Sequence, residues 1–220
     1  MTINTTPRRK FLALFLVGIL AATAALADEG VRNHFDTDTA GRPPGFFDLV
    51  VLGAPGPARW LILTDLNPPS APNKLAQVNQ GRPADSIAAA IRRSYVFQDG
   101  VVSTYIKRGA GLEGLILRMA DEKNFLVLLV DSGSGDAVLS SYRDGKATEL
   151  GRGHARLDRG WEKFSVVAAG PTLTVSFNDQ KMFEAKDPKP SIGKTGLAAA
   201  GPGEASFDEF VLESAEPTKP

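Results

Sequence analysis

The feature that most constrains the fold is the alternation of apolar and polar residues over short segments in the last third of the chain. Five such segments lie between residues 160 and 212, and turns rich in glycine, proline, asparagine or aspartate separate them. A period of two places one set of side chains in a core and the other in solvent, as in a half-buried β-strand. This part of the chain is therefore predicted to form consecutive antiparallel strands.

The same pattern continues through most of the preceding chain. Asp99-Gly100, Asp144-Gly145 and Asn178-Asp179 are the strongest hairpin signals, because these residues accept the positive φ angles of tight turns. The segment Ser86–Arg92 has some helical propensity but is predicted to be a strand, since Pro83 precedes it and β-rich sequence follows. Thirteen short strands indicate an all-β sandwich or barrel. They are Phe46–Leu52, Trp60–Thr64, Leu75–Val78, Ser86–Arg92, Val101–Lys107, Gly114–Met119, Phe125–Val130, Ala137–Tyr142, Glu162–Ala168, Leu173–Phe177, Met182–Ala185, Thr195–Ala199 and Ser206–Leu212.

Alternation also predicts which way side chains point. In Gly114–Met119, Arg118 shares a face with Ile116, and Met119 points to the opposite side. Residues 125–130 are apolar on both faces, which suits a central strand that is covered on both sides.

The N-terminal residues have the pattern of a targeting segment. Three basic residues, Arg8-Arg9-Lys10, precede the uncharged apolar run Phe11–Leu26, and Ala25-Leu26-Ala27 has the small-x-small pattern of a cleavage site. We expect cleavage after Ala27 and a periplasmic or secreted bacterial protein, exported by the Sec or the twin-arginine route. Residues 28–214 then form one domain, and residues 215–220 a disordered tail.

The composition narrows the classes of partner. The chain has no cysteine, so its fold is held by the core without disulfide bonds. Removing Arg8, Arg9 and Lys10 from the 25 basic residues leaves 22 against 25 acidic residues, a net charge near −3. A slightly acidic chain without a basic cluster is a poor candidate for binding nucleic acid. No stable membrane anchor is expected after leader cleavage.

From Phe35 to Leu212 the chain resembles the exported concanavalin A-like domains of the laminin G-like and 3-keto-disaccharide hydrolase-type group. The resemblance rests on the order of several short motifs. It implies an all-β, concanavalin A-like jelly-roll sandwich of two antiparallel sheets, and many proteins of this fold bind sugars on the concave sheet. The motifs are Phe35-Asp36-Thr37-Asp38, Gly41–Gly45, Arg59-Trp60, Pro72–Val78, Gly114–Arg118, Asp121–Phe125, Gly160–Val166, Gly193–Leu197 and Phe207–Leu212.

The chain departs from this group at positions where relatives carry polar or aromatic side chains. Phe125–Leu129 is apolar where relatives have a Tyr and an Arg, Ala198–Ala200 stands where they often have Trp-Thr-Lys, and Ser140 replaces a common Tyr. Sugar sites need aromatic platforms and planar hydrogen-bonding groups. The leading hypothesis is a non-catalytic binding module for a glycan or glycoconjugate. The alternatives are a sugar hydrolase or lyase, and an accessory domain that docks another exported protein.

Arg118 is the first candidate for a ligand-binding residue. Tyr105, Lys107 and Tyr142 are predicted to line a groove with it if their faces form the concave sheet, and Trp60 is placed at the groove edge. The alternatives are that Arg118 forms an ion pair on the sheet surface with a nearby carboxylate such as Asp131, and that Trp60 fills the core.

Asp36, Asp38 and Asp208 are candidate metal ligands. The first two begin like an EF-hand loop, but positions five and twelve of that loop are Ala40 and Phe47, which supply no side-chain ligand. The resemblance implies a different site, since some sandwiches of this type hold one structural Ca²⁺ between the N-terminal loop and the last strand. That site would use Asp36 or Asp38 with Asp208. The alternative is that these residues cap turns.

Catalytic carboxylates are not evident in the sequence. Laminarinase-like enzymes of this fold carry Glu-x-Asp-x-x-Glu or Glu-x-Asp-x-Glu on one strand, and neither spacing occurs. Asp208-Glu209 and the pair Glu184 and Asp187 are close in sequence, but adjacent strand residues point to opposite faces. The sequence therefore favours binding over catalysis.

Overall fold

The computed structural model describes residues 30–158 and 160–214, and the regular elements within them are strands. The predicted all-β fold is confirmed, while the predicted leader and tail lie outside the described residues. Within that part of the chain there is no helix able to cross a membrane. The fifteen strands are β1 (Val31–Asn33), β2 (Phe47–Gly53), β3 (Trp60–Thr64), β4 (Asn73–Gln77), β5 (Ser86–Arg92), β6 (Gly100–Lys107), β7 (Leu112–Asp121), β8 (Asn124–Asp131), β9 (Asp136–Arg143), β10 (Lys146–His154), β11 (Trp161–Ala169), β12 (Thr172–Phe177), β13 (Gln180–Lys186), β14 (Lys194–Ala200) and β15 (Ala205–Ser214).

The strands form two antiparallel sheets that pack face to face. The first sheet has the order β13-β12-β11-β6-β15-β4-β3, with β1 paired to β15, and the second has the order β10-β9-β8-β7-β14-β5-β2. Hairpins supply the outer strands β3, β13 and β10, whereas β2 pairs with β5 after the chain has passed through the first sheet. Strands β14 and β15 return from the end of the chain to lie between strands formed much earlier. The result is the predicted jelly-roll sandwich.

A single large core fills the space between the sheets. In β6, Val102, Thr104 and Ile106 point inward and are at most 1% exposed, as alternation predicts. Trp60 packs on Phe207 with ring centroids 5.7 Å apart and is itself buried. The prediction that Trp60 edges a groove is therefore wrong, because its strand turns the indole into the core.

Two of the three predicted hairpin turns are confirmed. Asp144-Gly145 joins β9 to β10 and Asn178-Asp179 joins β12 to β13, and all four residues have positive φ. Asp99-Gly100 is not a hairpin, because the loop that contains it leads from β5 in one sheet to β6 in the other. Strand β10 is absent from the sequence prediction, since Gly151 interrupts the alternation. That glycine lets β10 approach the Phe183 ring of β13 closely.

A bulge in β7 reverses the direction of two side chains. Arg118 has a φ of 49°, and the pairing with β8 is interrupted between Leu117 and Asp121. An extra residue in one strand shifts the following side chains to the other face. Arg118 therefore points into the protein, and Met119 joins Ile116 on the outer side of the second sheet. The predicted directions of Arg118 and Met119 are wrong for this reason.

Candidate functional site

The five residues predicted to bind a ligand do not form one groove. Tyr105 and Lys107 lie on the outer side of the first sheet, and Tyr142 lies on the outer side of the second. Trp60 is in the core, and Arg118 is buried at one end of the sandwich. The two sheets thus separate residues that the sequence placed together. Ligand binding by Tyr105, Lys107 and Tyr142 stays a prediction for separate surfaces.

Arg118 is the centre of a buried ion-pair network. Its guanidinium donates to Asp187 Oδ2 and to Asp99 Oδ1, each at 3.1 Å, and also to the carbonyl oxygen of Gly170 at 2.6 Å. Asp187 is fully buried and accepts a further hydrogen bond from Arg143 at 3.0 Å. Arg118 therefore forms ion pairs, as the alternative interpretation predicts, but they are internal rather than on the sheet surface, and the partners are Asp99 and Asp187 instead of Asp131.

A cavity of about 560 Å³ lies at the end of the sandwich where β7 begins. Strands of both sheets reach this end, so side chains from β4, β6, β7 and β15 meet there. We call it the lysine pocket. Its charged and polar members are Lys74, Gln80, Lys107, Arg108, Glu113, Glu204 and Ser206.

Two lysines share one aspartate at the side of the lysine pocket. Lys107 Nζ is 2.6 Å from Asp65 Oδ2, and Lys74 Nζ is 3.5 Å from the same oxygen. Lys74 also donates to Ser206 Oγ at 2.9 Å and lies 3.6 Å from Glu204. Burial acts to raise the pKa of Asp65, but the hydrogen bond from Lys107 and the two lysine charges outweigh it and hold the pKa below its usual range. An ionised carboxylate beside the pocket thus holds the ammonium groups of both lysines.

Glu113 lies at the buried end of the lysine pocket and is only 1% exposed. Its Oε1 accepts a hydrogen bond from Ser206 N at 3.3 Å, and its Oε2 has no partner among the described residues. Burial raises the pKa of Glu113 to about 8, so the carboxyl is protonated at neutral pH. Glu113 is not among the residues predicted from the sequence. Its register opposite Ala199 and Val130, both in the core, places it inward, and alternation with Leu115 is the signal in the sequence that could have found it.

An indole ring extends the lysine pocket along the first sheet. Lys107 Nζ lies 5.7 Å from the Trp161 ring centroid, and both residues line an adjoining cavity of about 500 Å³ with Asp65 and Asn67. The Trp161 side chain is partly exposed. An aromatic surface beside fixed hydrogen-bonding groups is the combination with which proteins hold sugars.

The predicted calcium ligands are only partly brought together. Ser70 joins two of them, because its N–H donates to Asp208 Oδ2 at 2.7 Å and its hydroxyl donates to Asp36. Asp38 is linked to this group through its backbone carbonyl oxygen, which accepts a hydrogen bond from the Asn73 side chain at 3.1 Å. Burial raises the pKa of Asp208 to about 7, and neighbouring carboxylates add to the rise. In residues 30–158 and 160–214 no three His, Cys, Asp or Glu side chains form a metal-binding group. Calcium binding stays a prediction.

The calcium hypothesis predicts a higher melting temperature in Ca²⁺ than in EDTA. At 100 times its dissociation constant, an ion that binds only the folded state adds about 2.7 kcal/mol of stability. The substitution Asp208→Asn should abolish the difference, whereas Asp136→Asn, at an exposed position far along the chain, should retain it. Equal melting temperatures in Ca²⁺ and EDTA would contradict the calcium hypothesis. Asp36 and Asp208 would then serve only as hydrogen-bond acceptors for the segment between Ser70 and Asn73.

The outer side of the second sheet is apolar, and the departures from the resembled group lie on it. Leu129, Ser140 and Ala198 all point to this side by the register of β8, β9 and β14. The chain therefore lacks polar groups over most of this surface. We call it the apolar face. Its buried members are Leu52, Ile87, Ala89, Ile91, Ile116, Met119, Phe125, Val127, Ala198 and Ala200.

Comparison with known proteins gives a fold but no family. No family profile matches the chain, and no curated protein sequence matches it. Among solved structures, the carbohydrate-binding module CBM66 from Bacillus subtilis superposes with a TM-score of 0.55 and 16% identity, over 75% of this chain and 94% of that one. A Bacillus licheniformis beta-glucanase superposes with a TM-score of 0.58 and 7% identity, over 84% of this chain and 98% of that one. LamAcat from Zobellia galactanivorans superposes with a TM-score of 0.53 and 10% identity, over 84% of this chain and 96% of that one.

These similarities confirm the concanavalin A-like sandwich. At such low identity they show the fold alone, because one fold supports many functions. They include both a carbohydrate-binding module and a beta-glucanase, so the function must be argued from the side chains of this chain.

Proposed function

We propose that this chain is an exported, non-catalytic binding module that holds a glycan in the lysine pocket and against Trp161. The observation that carries the proposal is an indole ring beside charged and amide side chains in two cavities that share Lys107. A sugar presents an apolar face ringed by hydroxyl groups. The ring can pack on that face while Gln80 and Glu204 exchange hydrogen bonds with the hydroxyls.

The lysine pocket is favoured over the apolar face for this role. A sugar on the apolar face would leave most of its hydroxyls without partners, and each buried unpaired polar group costs about 1–3 kcal/mol. In the lysine pocket the lysines are positioned by Asp65, so less side-chain freedom is lost on binding. The similarity in fold to a carbohydrate-binding module supports this assignment but would not be sufficient for it alone.

Lys107→Ala and Trp161→Ala are each expected to weaken glycan binding 10- to 100-fold. The loss of one charge-assisted hydrogen bond or one stacked ring corresponds to about 1.5–3 kcal/mol. The measurement is a glycan array with the wild-type chain, followed by titration calorimetry with the strongest ligand.

Lys181→Ala is the matched control for the lysine variant. Lys181 also forms one ion pair, with Glu184 at 2.8 Å, but it lies on strand β13 at the edge of the first sheet. This variant should bind the glycan like the wild type. If no glycan binds, or if Lys107→Ala binds as tightly as Lys181→Ala, the proposal fails.

One observation supports a glycoside hydrolase as a second candidate function. The environments of Glu113 and Asp65 push the pKa of one carboxyl up and the other down, and both lie close to Lys74. A protonated and an ionised carboxyl are the pair that glycoside hydrolysis uses. If the wild-type chain releases reducing sugar from the bound glycan and Glu113→Gln does not, the chain is a glycoside hydrolase rather than a binding module.

Export is the other part of the proposal and rests on the leader pattern of residues 8–27. Cell fractionation of a bacterial host should find the protein outside the cytoplasm, with Asp28 as its first residue. Replacing Arg8 and Arg9 together by lysine should block export if the twin-arginine route is used and leave Sec export intact. A full-length cytoplasmic product from the unaltered chain would contradict the proposal.

A further inference from the structure

One oxygen at the buried end of the lysine pocket has no partner among the residues that the structure describes. Glu113 Oε2 is buried and unpaired, whereas Oε1 accepts a hydrogen bond from Ser206 N at 3.3 Å. The Ser132 hydroxyl is near the carboxyl, but its proton is donated to Gly111 O at 3.1 Å. Buried polar groups in folded proteins usually have a hydrogen-bond partner. Because Glu113 also lines the cavity, the unpaired oxygen is a position for a polar atom of a ligand.

The protonation of this carboxyl determines which ligand atom it suits. Burial raises the pKa of Glu113 to about 8, and the neighbouring charge of Asp131 on β8 adds to the rise. Ser132, Ser206 and Lys74 act on the pKa in the opposite direction but do not outweigh burial. The carboxyl is therefore neutral at pH 7 and can donate its O–H. Such a donor pairs best with an anionic oxygen, because a charge-assisted hydrogen bond is roughly twice as strong as a neutral one.

Cationic side chains line the same cavity. Lys74 and Lys107 are both held by Asp65. Arg108 is exposed, and the one hydrogen bond that its side chain makes to the described residues is a long one, 3.5 Å, to a backbone carbonyl. Glu204 is the other carboxylate within reach, 3.6 Å from Lys74. Asp65 and Glu204 thus leave one of these three cations unbalanced, and an anionic group of a ligand would complete the charge.

Other kinds of ligand suit this site less well. A metal ion or an amino sugar would be repelled by the cations, and a neutral sugar would leave Arg108 without a counter-charge. Asp131 does not supply that charge, because it is not part of the lining and its carboxylate accepts two N–H groups of its own loop at 2.8 and 3.0 Å. A sugar ring on Trp161 would have its substituents beside Lys107, which lines both cavities.

We propose that the glycan of the lysine pocket is acidic, and that its anionic group lies between Lys74, Arg108 and the carboxyl of Glu113. The group is a uronate carboxylate or a sulfate ester, since both present anionic oxygens that accept several hydrogen bonds. The inference rests on the proposed function, because it names the chemical class of the glycan that is bound at that site.

The experiment compares each acidic glycan with a neutral partner of the same backbone. A glycan array carries glycans with uronate or sulfate groups beside the same glycans after reduction of the carboxylates to alcohols or removal of the sulfates. Titration calorimetry at pH 7 then measures the strongest pair. We expect the acidic member to bind about tenfold more tightly or better. The kind of pair that shows this preference identifies the anion.

Arg108→Gln tests the position of the anionic group. This variant should lower the preference for the acidic member about threefold, since Arg108 is exposed and its charge is screened by solvent. Arg93→Gln is the matched control, because Arg93 is also exposed and lies at the opposite end of the sandwich, just after β5. It should leave the preference unchanged. An equal loss in both variants would show that the net charge of the chain attracts the glycan, and would overturn the inference.

A pH series tests the part played by Glu113. With a pKa of about 8, its protonated fraction falls about tenfold between pH 7 and pH 9, so the affinity for the acidic member should fall about tenfold and that for the neutral member should not. In Glu113→Gln, whose amide donates but cannot ionise, this loss should be absent. The inference is overturned if the two members of every pair bind equally, although the binding module would then stand, or if both proteins lose the same affinity at pH 9. If no glycan binds at all, the proposed function fails with it.

Discussion

Replacing Asp187 by alanine is expected to lower the free energy of unfolding by about 3–5 kcal/mol, because the substitution leaves the buried guanidinium of Arg118 without its main counter-charge. Asp187 and Arg118 are both fully buried and joined at 3.1 Å, and Asp187 also accepts from Lys189 N at 3.1 Å. A loss of this size is a large part of the 5–15 kcal/mol that stabilises a typical domain. Urea denaturation at 25 °C measures it directly.

Glu184→Ala is the matched comparison for this prediction. Glu184 is three residues away and also forms an ion pair, with Lys181 at 2.8 Å, but both side chains are exposed. Exposed pairs contribute about 0–1 kcal/mol. If Asp187→Ala costs no more than Glu184→Ala, the network at Arg118 does not hold this end of the sandwich together.

Glu113→Gln is expected to make the chain more stable than the wild type at high pH and equally stable at low pH. In the unfolded chain Glu113 has its ordinary pKa of 4.5, and in the folded protein burial raises the pKa to about 8. As the pH rises between these values, only the unfolded state releases the proton, so the free energy of unfolding falls. The slope reaches about 1.4 kcal/mol per pH unit. Glutamine keeps the shape and has no proton to lose.

The measurement is urea denaturation of both proteins from pH 5 to pH 9. Asp208, whose pKa is raised to about 7, adds its own loss of stability in the same direction, but it does so in both proteins. The difference between the two curves therefore isolates Glu113. It should be about 1 kcal/mol at pH 5, where Glu113 of the unfolded chain is already mostly ionised, and reach several kcal/mol by pH 9. Parallel curves would show that Glu113 ionises freely in the folded protein.

The class of fold was predictable because it depends on local patterns. Alternation over β6 assigns Val102 and Ile106 to the core, and Asn178-Asp179 marks a turn without any knowledge of the rest of the chain. Strand β5 was also predictable from local sequence, because its flanking residues outweigh the helical propensity of three consecutive alanines. These features repeat along the chain, so errors at single turns did not alter the architecture.

The site was harder to predict because it depends on contacts between residues far apart in sequence. The bulge that turns Arg118 inward brings it to Asp187, 69 residues later. The lysine pocket likewise joins Lys74 to Ser206, 132 residues apart. Period-two alternation carries none of this information.

The pairing of the first strand with the last has a mechanical consequence. Val31 lies opposite Leu212 and Asn33 lies opposite Phe210, so the N-terminal end of β1 adjoins the C-terminal end of β15. The hydrogen bonds between antiparallel strands run perpendicular to them. A force applied to both ends of the domain would therefore act along these bonds and break them one after another, starting at the outer pair. Stretched between two attachments, the domain would release β1 first while the other fourteen strands stayed folded.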